Sequence, residues 1–119
     1  MIQSILNSIK KNLNIPEEYT AFDSDILLHI NSVFAELNQL GVGPIDGFFI
    51  DDESVVWDDY LQGDKNLNGV KTFMFAKVRL LFDPPTNSFG VAALEKVITE
   101  QTWRINVYRE ERDYGQPTS

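Results

Sequence analysis

The sequence has no cysteine and a single histidine, His29, in 119 residues. Without cysteine there is no disulfide, thiolate nucleophile, iron-sulfur cluster or Cys-based zinc site. One histidine alone makes a poor metal centre. Basic residues are also scarce: ten Lys and Arg face eighteen Asp and Glu, a formal net charge of -8 with a pI near 4.4. No net positive field draws in a phosphate backbone, so affinity for nucleic acid through counterion release is disfavoured. Long apolar runs are missing as well. The start, MIQSILNSIKKNLNI, breaks its apolar positions with polar ones and puts Lys10 and Lys11 after them, so neither a signal peptide nor a membrane span is expected. Hydrophobic residues at 43% and aromatics at 12% are globular values. The length suits one domain with a real core, and a cytosolic setting is the default.

The charge that is present is concentrated. From Asp46 to Asp64 there are seven acids and no base, while the rest of the chain holds eleven acids and ten bases. Glycines and Pro44 bound this segment on one side, and Gly63 and Gly69 on the other. Around it lie four segments of helical period. Ile2, Ile5, Leu6, Ile9 and Leu13 form the first, with Lys10 and Lys11 suiting its C-terminal dipole and Pro16 beyond its end. Asp23 or Ser24 can cap the second, whose stripe is Ile26, Ile30, Val33, Leu37 and Leu40 and whose stop is Gly41. The third, from about Leu67 to Phe82, is apolar nearly all round until Pro84 and Pro85, which predicts a central helix or one packed against other subunits. The fourth runs from near Ser88 to about Arg112, with Leu94, Val97, Ile98, Ile105 and Tyr108 inward and Lys96–Glu100 and Glu100–Arg104 as i,i+4 pairs. The expected fold is therefore mainly α: a small bundle of about four helices in one domain over 1–112, with a flexible tail over 113–119.

Between the second and third helices, Phe48–Ile50 and Val55–Trp57 flank Asp51, Asp52, Glu53 and Ser54. This reads as a short irregular or β-hairpin insertion, with a helical turn over Trp57–Leu61 competing for the second run. Catalytic patterns are weak. His29 sits on the polar stripe of its helix, four residues from Asp25, and reads as an exposed ion pair or solvated imidazole before it reads as a general base. No G-x-S-x-G elbow occurs, so a serine triad has no specific support. Gly41-Val42-Gly43-Pro44-Ile45-Asp46-Gly47 has a displaced third glycine and follows a helix, which fits a helix cap and turn better than a dinucleotide loop. Asp64-Lys65-Asn66-Leu67-Asn68-Gly69 opens like a calcium loop, but its twelfth position is Phe75; capping of the third helix by Asp64, Asn66 or Asn68 is the plainer account. The adjacent acids Asp51–Asp52 and Asp58–Asp59 read first as a solvated face.

With these set aside, a longer pattern remains: HINSVFAELNQLGVGP (29–44), VVWDDYL (55–61), VKTFMFAKVRLLFDPPTNSF (70–89) and LEKVITEQTWRINVYREE (94–111). Together they resemble the head-tail connector, or head completion adaptor, family of tailed bacteriophages, in the form found in phages and prophages of Gram-positive bacteria. The resemblance spans roughly Ile5 to Arg112, and its most specific part is the block with the double proline after LLFD.

The resemblance implies a structural neck protein of the virion, not an enzyme and without cofactor. It would assemble in the host cytoplasm, add to the portal protein after DNA packaging, and form a ring of about twelve subunits. Its partners would be the portal, copies of itself and a stopper or tail-side neck protein, with genomic DNA passing through unbound and no membrane involved. On this reading, Asp51, Asp52, Glu53, Asp58 and Asp59 line the lumen and repel phosphate, or face basic groups of a neighbour. Phe48, Phe49, Ile50, Val55 and Trp57 are the subunit-interface candidates. Arg109, Glu110, Glu111, Arg112, Asp113 and Tyr114 are the portal-docking candidates, against the alternative of a frayed helix end. Two other classes stand beside it: a cytosolic helical adaptor or regulator dimerising through the apolar third helix, and a small hydrolase or metal-dependent enzyme using the acidic loop, with Asp58 and Asp59 essential.

Overall fold

The computed structural model describes residues 3–44, 46–62 and 69–115, with side chains as far as Tyr108. Five helices follow in order: α1 (Ile5–Asn12), α2 (Asp23–Gln39), α3 (Trp57–Leu61), α4 (Gly69–Phe82) and α5 (Ser88–Gly115). Among the described residues there is no β-ladder, and one isolated antiparallel bridge pairs Ser4 with Val56. The chain is thus a small mainly helical bundle.

α1 begins where Ser4 Oγ accepts the Asn7 N–H at 3.2 Å, a side-chain N-cap. It buries Ile5, Leu6 and Ile9, and Leu13 continues the same stripe. Lys10 does not sit at the helix end in solvent: it is 1% exposed. Its Nζ donates to the Glu17 carbonyl at 2.9 Å and the Tyr19 carbonyl at 2.8 Å, and lies 2.8 Å from Asp23 Oδ1. Buried charge of this kind is tolerated only when paired and hydrogen-bonded. Asp23 is therefore drawn away from capping. Phe22 occupies the N-cap of α2 and makes no side-chain cap bond.

The α2 stripe is buried as its spacing predicts, at Ile26, Ile30, Val33, Phe34 and Leu37. Its end is also as expected, since Gly41 takes φ 86°, the left-handed value that glycine accepts without strain. α4 is central, with α2 and α1 on one side and α5 on another, which is why Val70, Phe73, Met74, Ala76 and Val78 are all buried. Lys77 on α4 pairs with Glu36 on α2 at 3.2 Å. With α2 and α5 packed on it, much of the apolar surface of α4 is used inside the chain, while Leu81 stays 50% exposed.

After Pro84 and Pro85, Asn87 Oδ1 accepts the Gly90 N–H at 2.7 Å and opens α5 close to the expected Ser88. The helix continues to Gly115, past Arg112, so Asp113, Tyr114 and Gly115 are helical backbone; residues 116–119 lie outside the described part. Its inward Leu94, Val97 and Ile98 are only half-buried, and Ile105 alone reaches the core. Neither Lys96–Glu100 nor Glu100–Arg104 closes to an ion pair; among the described residues the ion pairs are Lys10–Asp23 and Lys77–Glu36. The 28 residues of α5 extend about 42 Å. They stretch the molecule to 51 × 34 × 25 Å.

Candidate functional site

The segment that carries the acids is fixed to α1 and α2 by side chains of those helices. Asn38 Nδ2 donates to the Pro44 carbonyl at 2.8 Å, and the Gly47 N–H donates to the same carbonyl at 2.9 Å, closing a turn. The glycine-rich stretch is accordingly a helix cap and turn. Gly43 has φ 87°, and a Cβ there would lie 2.9 Å from the Tyr60 ring. The backbone then runs extended to Ile50, where Asn31 grips it twice: Oδ1 accepts the Ile50 N–H at 2.8 Å and Nδ2 donates to the Ile50 carbonyl at 2.9 Å. A side-chain amide thus does for Ile50 what a neighbouring strand would do.

No hairpin forms from the two apolar runs. Alternation along the extended piece sends Phe48 against Phe34 and Tyr60, with ring centroids 5.0 and 4.9 Å away, and leaves Phe49 70% exposed. Ile50 is 1% exposed. The second run becomes the helical turn α3, as WDDYLQG allowed. Trp57 is 2% exposed; its Nε1 donates to Ser8 Oγ at 2.8 Å and its ring meets the edge of Phe75. Ile50 and Trp57 are therefore core residues of their own chain and not contacts for a neighbour, because each is enclosed by α1, α2 or α4. Phe48 and Val55 are half-buried, so Phe49 is the interface candidate that remains fully outward.

Asp51, Asp52, Glu53, Asp58 and Asp59 are all exposed, and none is in an ion pair among the described residues. Two of them have local duties. Asp52 accepts from Ser54 Oγ and, at 2.8 Å, from the Ser54 N–H; these bonds hold its carboxyl below the usual carboxylate range. Asp59 accepts the Val56 N–H at 3.1 Å, the return half of a capping box, Val56 having no side-chain acceptor for the other half. Glu53 also borders an open cleft of about 360 Å³ with Asn7, Glu17, Glu18, Thr20 and Asp23. Among the described residues no group of three or more His, Asp or Glu is arranged to hold a metal ion. The calcium-loop resemblance at 64–68 and the caps expected from Asp64, Asn66 and Asn68 lie outside the described residues. So do the side chains of Arg109, Glu110, Glu111, Arg112, Asp113 and Tyr114, whose backbone is the last part of α5.

Tyr60 is buried, its hydroxyl has no hydrogen-bond partner, and burial pushes its pKa well above the usual tyrosine range. His29 is half-buried with its ring against Phe82 at 6.3 Å, and it makes no pair with Asp25. Sequence reasoning missed three features: the burial of Lys10, the Asn31 clamp, and the exposure of Phe89 (87%) and Trp103 (66%) on α5. Only the last had a readable signal, a spacing of two heptads on one helix.

In this bundle the buried polar groups hold its own loops, while carboxylates and large aromatics are left outside. The fold defines a small, mainly α-helical protein. The chain matches the phage connector protein family over residues 5–112 and belongs to that family. The match runs from the first residue of α1 into the last turns of α5. No curated protein and no solved structure matches it. Among the described residues no helix is long and apolar enough to cross a membrane.

Proposed function

We propose that this connector adds to the portal vertex of a tailed-phage head after packaging, assembles there into a ring, and forms part of the DNA conduit and of the platform that receives the tail-side neck protein. The observation that carries this is the family match, which covers the whole bundle from residue 5 to residue 112. Its role is structural, in the neck of the virion. The charge distribution supports it: five exposed carboxylates without cationic partners among the described residues repel a passing polyanion at short range. Docking to the portal falls to the end of α5 and its residues Arg109 to Tyr114.

The experiment is to delete the gene from the source phage or prophage, induce lysis and inspect the particles by negative-stain electron microscopy. Tailless heads beside free tails are expected. Normal tailed virions would overturn the proposal.

A further inference from the structure

Four rings form a row where α2 begins and α4 ends. Tyr19 meets Phe22 at 5.6 Å between centroids, Phe22 meets Phe82 at 5.5 Å, and the Phe82 ring meets that of His29 at 6.3 Å. Tilted and edge-on packing of this kind fixes the rings on one another. Two of them are still open to solvent, Tyr19 at 48% and Phe22 at 41%. Leu81, next to Phe82 in the last turn of α4, is as exposed as Tyr19. Packed aromatics left open in this way mark a contact surface.

The surface is held from inside. The buried Lys10 ammonium takes the carbonyls of Glu17 and Tyr19 and the carboxylate of Asp23, so the stretch that carries Tyr19 and Phe22 is pinned at three points. Little ordering is left for a partner to impose.

The charge around the rings has one sign. Residues 16–25 hold four acids and no base. Glu17, Glu18 and Asp23, on either side of Tyr19 and Phe22 in the chain, line the open cleft of about 360 Å³ that Glu53 also borders. Asp25 and Asp83, close in sequence to Phe22 and Phe82, are exposed. Among the described residues, Glu17, Glu18, Asp25 and Asp83 are in no ion pair. Of the bases at the neighbouring helix ends, Lys10 is buried and Arg79 donates to the Asp83 carbonyl, which leaves Lys11. Exposed rings with an acidic rim select a partner of opposite sign. Its apolar side chain lies on the rings, and Arg or Lys beside it meets the carboxylates and the ring faces.

A second copy of this chain does not offer that chemistry. Its outward Phe89 and Trp103 share α5 with Glu95 and Glu100 as well as Lys96 and Arg104, and residues 95–104 have no net charge. Its outward Phe49 is followed closely by Asp51, Asp52 and Glu53. We infer that the surface formed by Tyr19, Phe22 and Phe82 docks a different protein, through a segment that is apolar at its centre and net basic at its edges. That this protein belongs to the same particle rests on the reading given under Proposed function; the chemistry of the contact does not.

The test probes an array of overlapping peptides, covering every protein of the source phage and this chain too, with the purified full-length chain. The bound peptides should be apolar, net positive and from another protein. Tyr19→Ser with Phe22→Ser, and separately Glu17→Lys with Glu18→Lys, change exposed side chains and keep the backbone carbonyls that Lys10 uses. Each should lose at least about tenfold in affinity, whereas Tyr19→Phe should keep it. Bound peptides that are acidic or come from this chain, no bound peptide at all, or equal binding by folded variants, overturns the inference.

Particles give a second readout, one that needs no loss of binding. A photo-cross-linking benzoylphenylalanine in place of Tyr19, in the chain supplied to the deletion phage, should join it to one other protein at a net basic segment. Cross-links to another copy of this chain would overturn the inference and leave the proposed function standing. Absence of the chain from tailed particles would overturn the proposed function, and the array then decides the docking surface by itself.

Discussion

Lys10 places a charge inside the bundle, and its environment says what removing it costs. Lys10→Met keeps the length of the side chain but strands two carbonyls and a carboxylate. A loss of about 3 kcal/mol is expected, measured by urea unfolding. Asp23→Asn should cost less, since the two carbonyls still hold the amine and Asp23 is 25% exposed. Tyr60 behaves in the opposite sense. Its buried hydroxyl has no partner, so Tyr60→Phe should leave stability unchanged or raise it by up to about 1 kcal/mol. The pH dependence follows from the raised pKa. Below about pH 10 the phenol is neutral in both states and contributes no pH dependence. Above it the unfolded chain ionises while the folded one resists, so stability falls as pH rises. Thermal melts across that range should show a steeper decline for the unaltered chain than for Tyr60→Phe.

Elements whose residues serve one nearby partner were readable from the sequence. The α2 stripe, the Gly41 stop and the double-proline end of α4 follow from period and punctuation, because each depends on residues within a turn or two. The segment 44–61 was not readable to the same degree. Its conformation depends on Asn31 and Asn38 of α2 and Ser8 of α1, far away in sequence, and a polar residue on a helix does not announce which distant backbone it will hold. The same applies to Ile50 and Trp57: apolar residues beside a charged loop suit an interface and a core equally until the enclosing helices are placed. Phe49 and the acids at 51–53, 58 and 59 are exposed. Asn31→Ala tests the clamp. It removes two hydrogen bonds to a buried residue and should cost about 2 kcal/mol, with hydrogen exchange rising over 46–54 and not in α4.

At the scale of the whole molecule, charge is separated from the packing that holds the fold. The crowded acids at 46–59 repel one another on the surface, so raising salt from about 0.02 M to about 0.2 M should raise the melting temperature. Asp51→Asn with Glu53→Asn should reproduce part of that rise at low salt. The three acceptors around Lys10 bear on another property, the tolerance of the chain to changes in its length. Glu17, Tyr19 and Asp23 meet one ammonium at fixed places along the connection from α1 to α2. An extra residue between them would carry at least one acceptor out of reach. The turn at Asp51–Ser54 is exposed and, among the described residues, closed only by the Asp52–Ser54 bonds. Insertions belong there, and an epitope placed after Glu53 should leave a folded chain where the same epitope after Glu18 does not.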